Sequence, residues 1–256
     1  MSSTAERLLA HRMVGLVDLT DLSATASASS VDRLCERAVG PHGSVAAVCV
    51  WPAFVAQCAR DLAGTGVQVA TVVNFPHGDD DADAVRREVF AALEFGADEL
   101  DVVLPYRALL AGETAAAALV LDTVGDIVHG RRLVKVILET GELPGRDAVV
   151  RAARFAIDHG ADFVKTSTGK TPVSATPEAV ATLLDVIRHS DRPVGIKPSG
   201  GIATVADAAG YLGQADEVMG LAWARASTFR FGASGLLDRL VAVIERHPST
   251  VGEVTA

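Results

Sequence analysis

The sequence has little of what nucleic-acid-binding, secreted and membrane-spanning proteins require. Acidic residues outnumber basic residues by 32 to 23, and the net charge of −9 leaves no basic stripe that could neutralise nucleic-acid phosphates. No stretch approaches the roughly 18 to 20 uninterrupted apolar residues of a membrane span, and the first residues lack the charged-then-apolar pattern of a signal peptide. We therefore expect a cytoplasmic protein that binds neither nucleic acid nor a membrane.

Cysteine is also scarce. Cys35, Cys49 and Cys58 form an odd set without CxxC spacing, which argues against a disulfide framework and against a zinc site. The acidic run at 79–83 lacks the ligand spacing of a calcium-binding loop, so we interpret it as a helix start.

Lysine is the third scarcity. Only four of the 23 basic residues are lysines, and the other 19 are arginines, so the sequence uses arginine wherever it needs a surface cation. Each lysine therefore needs an explanation of its own. The four are Lys135, Lys165, Lys170 and Lys197.

Short β-branched runs alternate with longer Ala-rich segments of helical periodicity along the chain. The alternation predicts eight parallel strands joined by helices. No GxGxxG segment follows the first strand, and polar residues recur at strand ends, which favours a single α/β domain over 1–256, a (β/α)₈ TIM barrel with 248–256 as a loose tail. An open doubly wound sheet remains the alternative. The predicted strands are 13–20, 44–50, 68–74, 99–104, 133–139, 163–168, 193–197 and 217–220, and the predicted helices lie near 31–39, 53–63, 81–95, 114–129, 146–159, 177–189, 203–212 and 235–246.

Successive side chains of a β-strand point to opposite faces of the sheet, and this alternation, here called strand parity, predicts which charged side chains point into the barrel. Lys165 and Lys197 each follow an apolar residue, so the apolar residues face the helices and both lysines face the lumen. The same alternation turns Asp101 inward. Lys135 shares parity with Glu139, and the sequence leaves open whether these two form a structural ion pair or take part in catalysis.

Two lysines and an aspartate in a low-dielectric lumen indicate amine chemistry. A free lysine has a pKa of about 10.4, so almost none of it is nucleophilic near neutral pH. Burial and a neighbouring cation both favour the amine, so Lys197 would activate Lys165 as an imine-forming nucleophile. Asp101 would then transfer protons in the carbinolamine and enamine steps.

Segments rich in glycine and hydroxyl residues follow the late strands, at 168–171, at 199–201 and at 231–235, where the last of them is expected to open the final helix. Backbone amides exposed by glycine near a helix N-terminus bind phosphate, and the loops after strands seven and eight are the usual phosphate site of such barrels. With Lys170 nearby, the segments predict a phosphorylated ligand.

Eight segments, spread over most of the chain, are highly specific in this order and spacing. They lie at 17–20, 47–52, 71–78, 96–107, 135–143, 161–170, 195–201 and 230–234, and the segment around Lys165 (Ala-Asp-Phe-Val-Lys-Thr-Ser-Thr-Gly-Lys) is the most specific of them. Together they resemble the deoxyribose-phosphate aldolase family of class I aldolases.

The resemblance implies reversible cleavage of 2-deoxy-D-ribose 5-phosphate to acetaldehyde and D-glyceraldehyde 3-phosphate by a homodimer that needs neither a metal nor an organic cofactor. It implies that Lys165 forms the Schiff base, that Lys197 adjusts the pKa of Lys165, and that Asp101 transfers protons. Positions that the resemblance assigns to the substrate are Asp18, Thr20, Cys49, Thr168 and Lys170, and those assigned to its phosphate are Gly200, Gly201 and Ser234.

Two positions depart from that family. Many members end in a tyrosine that reaches the active site, whereas the only tyrosines here are Tyr106 and Tyr211. A second serine often follows the residue matching Ser234, and this chain has Gly235 there. We therefore expect Asp101 to carry proton transfer with Lys197, and we expect removal of 249–256 to change turnover little.

Two other functions remain open from the sequence. The first is a Schiff-base aldolase on the same barrel with a different donor or an unphosphorylated acceptor. The second is a non-catalytic barrel that binds a phosphorylated metabolite. Reductive trapping of an imine would separate the second from any aldolase.

Overall fold

The computed structural model describes residues 3–246. Strands and helices alternate along the chain as the sequence predicts. Eight parallel strands form one sheet in the order β8-β1-β2-β3-β4-β5-β6-β7. Their bounds are β1 Val17–Asp21, β2 Ala47–Val50, β3 Gln68–Val73, β4 Glu99–Val103, β5 Leu133–Ile137, β6 Phe163–Lys165, β7 Gly195–Lys197 and β8 Phe231–Ala233.

Isolated parallel bridges close the sheet between its two ends. Ile196 pairs with Phe229, and Ser199 pairs with Gly232, so the segments around β7 and β8 meet. The result is the predicted (β/α)₈ barrel, whose strands are buried along nearly their whole length because helices cover the outer face.

Ten helices surround the sheet within residues 3–246. They are α1 Ser3–Val14, α2 Ala28–Ala38, α3 Val55–Asp61, α4 Ala82–Glu94, α5 Tyr106–Leu110, α6 Thr114–Val128, α7 Gly145–Asp158, α8 Pro177–Arg188, α9 Val205–Met219 and α10 Leu236–Ile244. Single 3₁₀ turns lie at Pro52–Phe54 and Thr140–Glu142, and Val39–Gly40 pairs with Gly43–Ser44 in a small antiparallel ladder. None of these helices is long and apolar enough to cross a membrane.

Local sequence explains where several helices begin. Asp81 accepts a hydrogen bond from the backbone N–H of Ala84 and so caps α4, which confirms the acidic run as a helix start. Ser27 and Ser30 form a reciprocal capping box at α2, and Thr204 forms one with Asp207 at α9. The helices then bury their apolar stripes, mostly Ala, Val and Leu, against the strands.

The predicted eighth strand at 217–220 is wrong. Glu217 and Met219 belong to the last turn of α9, which ends at Gly220 with a positive φ of 92°. The eighth strand is Phe231–Ala233, and α10 begins only after Gly235, so the segment 231–235 forms a strand and a turn before the helix begins. The strand is short and contains a glycine, so it carries little of the β-branched signal that the prediction used.

Smaller differences concern element ends. Residues 13 and 14 end α1, because the apolar residues of 3–14 bury one side of a helix, and β1 starts at Val17. Strand five stops at Ile137, two residues before the predicted end, because Glu139 adopts a left-handed conformation with φ 54°. The tail predicted at 248–256 lies outside the described residues.

Candidate active site

The three residues predicted to carry the chemistry converge in the barrel lumen. Lys165 ends β6 and Lys197 ends β7, and the two are directly paired in the strand register. Asp101 lies on β4, paired with Lys135 on β5. Asp101 and Lys197 have no exposed surface and Lys165 is 2% exposed. Because neighbouring apolar residues pack on the helices, strand parity placed all three correctly.

Asp101 is the hub of this cluster. Its Oδ2 accepts hydrogen bonds from Lys165 Nζ at 2.8 Å and from Lys197 Nζ at 2.7 Å. Its Oδ1 accepts one from Lys135 Nζ at 2.8 Å. Three ammonium groups thus surround one carboxylate, and two of them share a single oxygen.

Further buried charges join the cluster. Lys197 Nζ lies 2.5 Å from Asp18 Oδ2, and Arg230 Nη1 lies 2.5 Å from Asp18 Oδ1. Glu99 accepts contacts from Lys135 Nζ at 2.6 Å and from Arg230 Nη2 at 2.8 Å. Seven ionisable side chains therefore form one continuous network through the lumen.

The network contains four cations but only three carboxylates. If every group is ionised, the lumen carries an excess charge of +1, which is costly at low dielectric. Lys197 contacts Asp101 and Asp18, and Lys135 contacts Asp101 and Glu99, whereas Lys165 contacts Asp101 alone. Among the lysines of the network, Lys165 is the one with the fewest carboxylate partners.

Electrostatics fix the charge of the surrounding groups. Burial raises the pKa of Asp101, but the ammonium groups of Lys135, Lys165 and Lys197 outweigh burial and hold that pKa well below its usual range. Burial lowers the pKa of Lys197, but Asp101 and Asp18 outweigh it and raise that pKa above the ordinary lysine value. Asp101 is therefore a carboxylate and Lys197 an ammonium at neutral pH.

Lys135 and Glu139 do not form the ion pair that their parity suggested. Lys135 bonds Asp101 and Glu99 inside the barrel. Glu139 lies beyond the strand end, where its left-handed backbone turns the side chain to the loop after β6. There it accepts hydrogen bonds from Thr168 Oγ1 at 2.5 Å and from Thr171 Oγ1 at 3.1 Å.

A cavity of about 890 Å³ lies immediately beyond the carboxyl ends of the strands. Ser199, two residues after Lys197, and Thr168, three residues after Lys165, are both part of its wall, so the cavity opens next to the lysines. The predicted substrate and phosphate positions that line it are Thr20, Thr168, Lys170, Gly200, Gly201 and Ser234.

Asp18 and Cys49, also predicted to contact the substrate, belong to the lumen and do not line this cavity. Asp18 is bound to Lys197 and Arg230 as described above. Cys49 is fully buried, with its Sγ 4.0 Å from Asp101 Oδ2, and burial raises the pKa of its thiol. Cys49 is therefore a neutral neighbour of the charged cluster. Lys170 Nζ donates to the carbonyl of Leu22 at 2.7 Å.

The structure adds residues that the sequence analysis did not select. Glu99 and Arg230 complete the lumen network, and Arg33, Arg37 and Arg239 line the cavity. Parity would have found Arg230, because it alternates with two buried phenylalanines, had the eighth strand been recognised. No such local signal exists for the three surface arginines. Within the described residues no group of three or more His, Cys, Asp or Glu side chains is arranged to hold a metal ion.

Comparison with known proteins gives a consistent result. The model of the DeoC/LacD family aldolases matches residues 12–229. A deoxyribose-phosphate aldolase of Agrobacterium fabrum is 48% identical over 233 residues, which cover 90% of each chain. An apo-form crystal structure from Toxoplasma gondii ME49, named as a candidate deoxyribose-phosphate aldolase, has a TM-score of 0.85 at 29% identity and covers 96% of this chain and 99% of its own. The tetrameric deoxyribose phosphate aldolase of Aeropyrum pernix shares the fold, with a TM-score of 0.76 at 24% identity over 96% of this chain and 99% of its own.

Proposed function

The chain belongs to the DeoC/LacD family of aldolases, and from that premise we propose that it reversibly cleaves 2-deoxy-D-ribose 5-phosphate to acetaldehyde and D-glyceraldehyde 3-phosphate through a Schiff base on Lys165. The observation that carries the proposal is the charge imbalance of the buried network. Four cations face three carboxylates, and Lys165 has one carboxylate partner where Lys135 and Lys197 have more. Loss of one proton from Lys165 brings the network to neutrality and creates the amine that the reaction needs.

The reaction begins at the aldehyde carbon of the open-chain sugar. The Lys165 amine adds to C1, and the carbinolamine loses water to give an imine. Protonation of the imine nitrogen makes the imine an electron sink. A base then removes the proton from the C3 hydroxyl, the C2–C3 bond breaks to release D-glyceraldehyde 3-phosphate, and the electron pair of that bond forms the C1–C2 double bond of a neutral enamine. Protonation of C2 and addition of water then release acetaldehyde and restore the amine.

Asp101 and Lys197 are proposed to serve the proton steps. Asp101 is a carboxylate that touches Lys165 Nζ, so it can accept the proton that carbinolamine formation releases. Lys197 shares the same Asp101 oxygen and stays protonated, so it disfavours a second positive charge on Lys165 while the amine is free. Asp18 holds Lys197 in place from the other side.

The cavity wall is proposed to hold the rest of the substrate. Thr20, Thr168 and Lys170 would contact the sugar, with Asp18 and Cys49 bordering the lysines below. The amides near Gly200, Gly201 and Ser234 would receive the phosphate. We also propose that the protein acts as a homodimer without a metal or organic cofactor, as the resemblance implies, and in the cytoplasm, as the sequence composition indicates.

One coupled assay tests the reaction directly. Cleavage of 2-deoxyribose 5-phosphate is followed through the acetaldehyde released, which cleavage of unphosphorylated 2-deoxyribose, the comparison substrate, would release as well. Preference for the unphosphorylated sugar would favour the alternative Schiff-base aldolase with an unphosphorylated acceptor and would overturn the proposed reaction.

Imine formation is tested separately by borohydride reduction in the presence of acetaldehyde. We expect the mass of an ethyl group on the peptide that contains Lys165, because only an imine is reduced to a stable secondary amine. Labelling at another lysine, or none, would contradict the assignment.

A further inference from the structure

The cavity is positively charged although the chain is acidic. Four cationic side chains line it, at Arg33, Arg37, Lys170 and Arg239, against one carboxylate, Asp21. The whole chain has a net charge of −9. A local excess of cations in a concave surface focuses a positive potential and attracts anions.

Two of these arginines are unpaired. Arg37 Nη2 forms an ion pair with Asp238 Oδ1 at 2.7 Å, which joins α2 to α10. Arg33 and Arg239 are exposed and make no ion pair or hydrogen bond with any other residue of 3–246. Asp21, the one carboxylate of the wall, is bound by the hydroxyl groups of Ser23 and Ser30.

The position of each unpaired arginine brings it to the cavity. Arg33 and Arg37 are four residues apart on α2, so both lie on the helix face that lines the cavity. Arg239 lies in the fourth helical position of α10, close to the end where the helix dipole disfavours a cation. Helix stability therefore does not explain Arg239, whereas an anion in the cavity would.

Charge counting selects the kind of anion. Four cations, less Asp21 and the Asp238 that pairs with Arg37, leave a net charge of +2. A phosphate monoester carries about −1.5 to −2 at neutral pH, so one phosphate group neutralises the cavity. Gly200, Gly201 and Ser234 line the same cavity, so backbone amides and guanidinium groups, both of which bind phosphate, border one space.

We propose that Arg33 and Arg239 form a cationic wall that binds the phosphate group of the substrate across the cavity from the glycine loops, with Arg37 as a positioning residue held by Asp238. The proposal deepens the proposed function and rests on it for the identity of the phosphate ester. It assigns phosphate selectivity to side chains of α2 and α10 in addition to the backbone amides.

The test uses Arg33→Gln, Arg239→Gln and the double variant, with Arg151→Gln as the matched control. Arg151 is exposed on α7 and is not part of the cavity wall, so its loss changes the net charge equally. Each cavity variant should raise KM for 2-deoxyribose 5-phosphate roughly tenfold with kcat within about twofold, the size expected for one charged hydrogen bond. In the cavity variants, kcat/KM for unphosphorylated 2-deoxyribose should stay unchanged. In the control variant, the kinetic constants for both sugars should match those of the wild type. An unchanged KM in the double variant, or equal losses with both sugars, would overturn the proposal.

Direct binding of inorganic phosphate, measured by calorimetry on the full-length protein, separates the two proposals. The double variant should lose affinity for phosphate relative to both the wild type and Arg151→Gln. If the wild type cleaves neither sugar and the double variant still loses phosphate affinity, the proposed reaction fails and the cationic wall stands. Equal phosphate affinity in the wild type and the double variant would contradict the proposed role of Arg33 and Arg239, whichever sugar the enzyme cleaves.

Discussion

The barrel lumen and the cavity at its mouth hold charge in opposite ways. In the lumen every charged group of the network lies within 2.8 Å of an opposite charge, and Asp101 and Lys197 have no exposed surface. At the mouth, Arg33 and Arg239 are exposed and unpaired within the described chain. The charges of the lumen are therefore held by their neighbours, whereas those of the two arginines at the mouth are not.

The difference fits the roles that we propose for the two regions. A covalent step is accelerated by charges that need no reorganisation while the reaction proceeds, so a buried network of charges held by their neighbours suits it. An anion that enters from water is attracted by charges that are not already neutralised. The comparison therefore separates residues whose loss should affect kcat from residues whose loss should affect KM.

The largest expected effect comes from Lys165→Arg, which removes the proposed nucleophile and fixes the excess positive charge of the network in the lumen. Arginine cannot deprotonate near neutral pH, so it forms no imine, and turnover should fall roughly a thousandfold or more. Circular dichroism should match the wild type, because the ion pair with Asp101 can persist. A variant that kept a tenth of the turnover would show that Lys165 is not the nucleophile.

The second prediction compares one ion pair from each region. Glu99→Gln strips a carboxylate from buried Lys135 and Arg230, and should lower the free energy of unfolding by about 3–5 kcal/mol. Asp238→Asn breaks the Arg37 pair, in which Asp238 is 66% exposed, and should cost less than about 1 kcal/mol. Urea denaturation at pH 7 measures both. Similar losses of unfolding free energy in the two variants would contradict the expected difference between buried and exposed ion pairs.

Lys197→Leu is expected to act through pH. Because the pKa of Lys197 is raised above its usual value, Lys197 remains a cation across the neutral range, and the variant loses a permanent positive charge. The network then holds three cations and three carboxylates, so no excess charge favours the Lys165 amine. Turnover at pH 7 should fall roughly a hundredfold, and the rise of activity should move to higher pH. A reduced rate with an unmoved pH–rate profile would mean that Lys197 acts by binding.

The smallest effect concerns Glu139, which holds a loop of the cavity wall. Glu139 holds the loop after β6 through Thr168 and Thr171, and Thr168 lines the cavity. Glu139→Gln replaces an acceptor with an amide donor, which should loosen the loop and lower kcat/KM by roughly tenfold. Glu142→Gln, an exposed neighbour, is the control and should be neutral. Equal kcat/KM values for the two variants would show that Glu139 does not position the site.

Particular residues show why some predictions succeeded. Lys165 and Lys197 were placed in the lumen because side chains alternate along a strand whatever the rest of the protein does. Strand β8, which contains Gly232 and directly follows Arg230, was missed because a three-residue strand with a glycine has almost no periodic signal, and its pairing comes from β1 and Ser199. The sequence left open whether Glu139 pairs with Lys135, and the structure separates the two because one left-handed residue ends the alternation on which parity depends.

The sequence by itself determined the alternation of strands and helices and the inward direction of Asp101, Lys165 and Lys197, because these follow from local periodicity. Only the tertiary structure decided which inward charges meet. Asp18, Asp101 and Lys197 come from strands far apart in the chain, and their contacts at 2.5 Å and 2.7 Å exist because the sheet closes into a barrel with a fixed register. The excess of one cation, and the unpaired arginines at the mouth, are properties of that closure, which local sequence patterns do not contain.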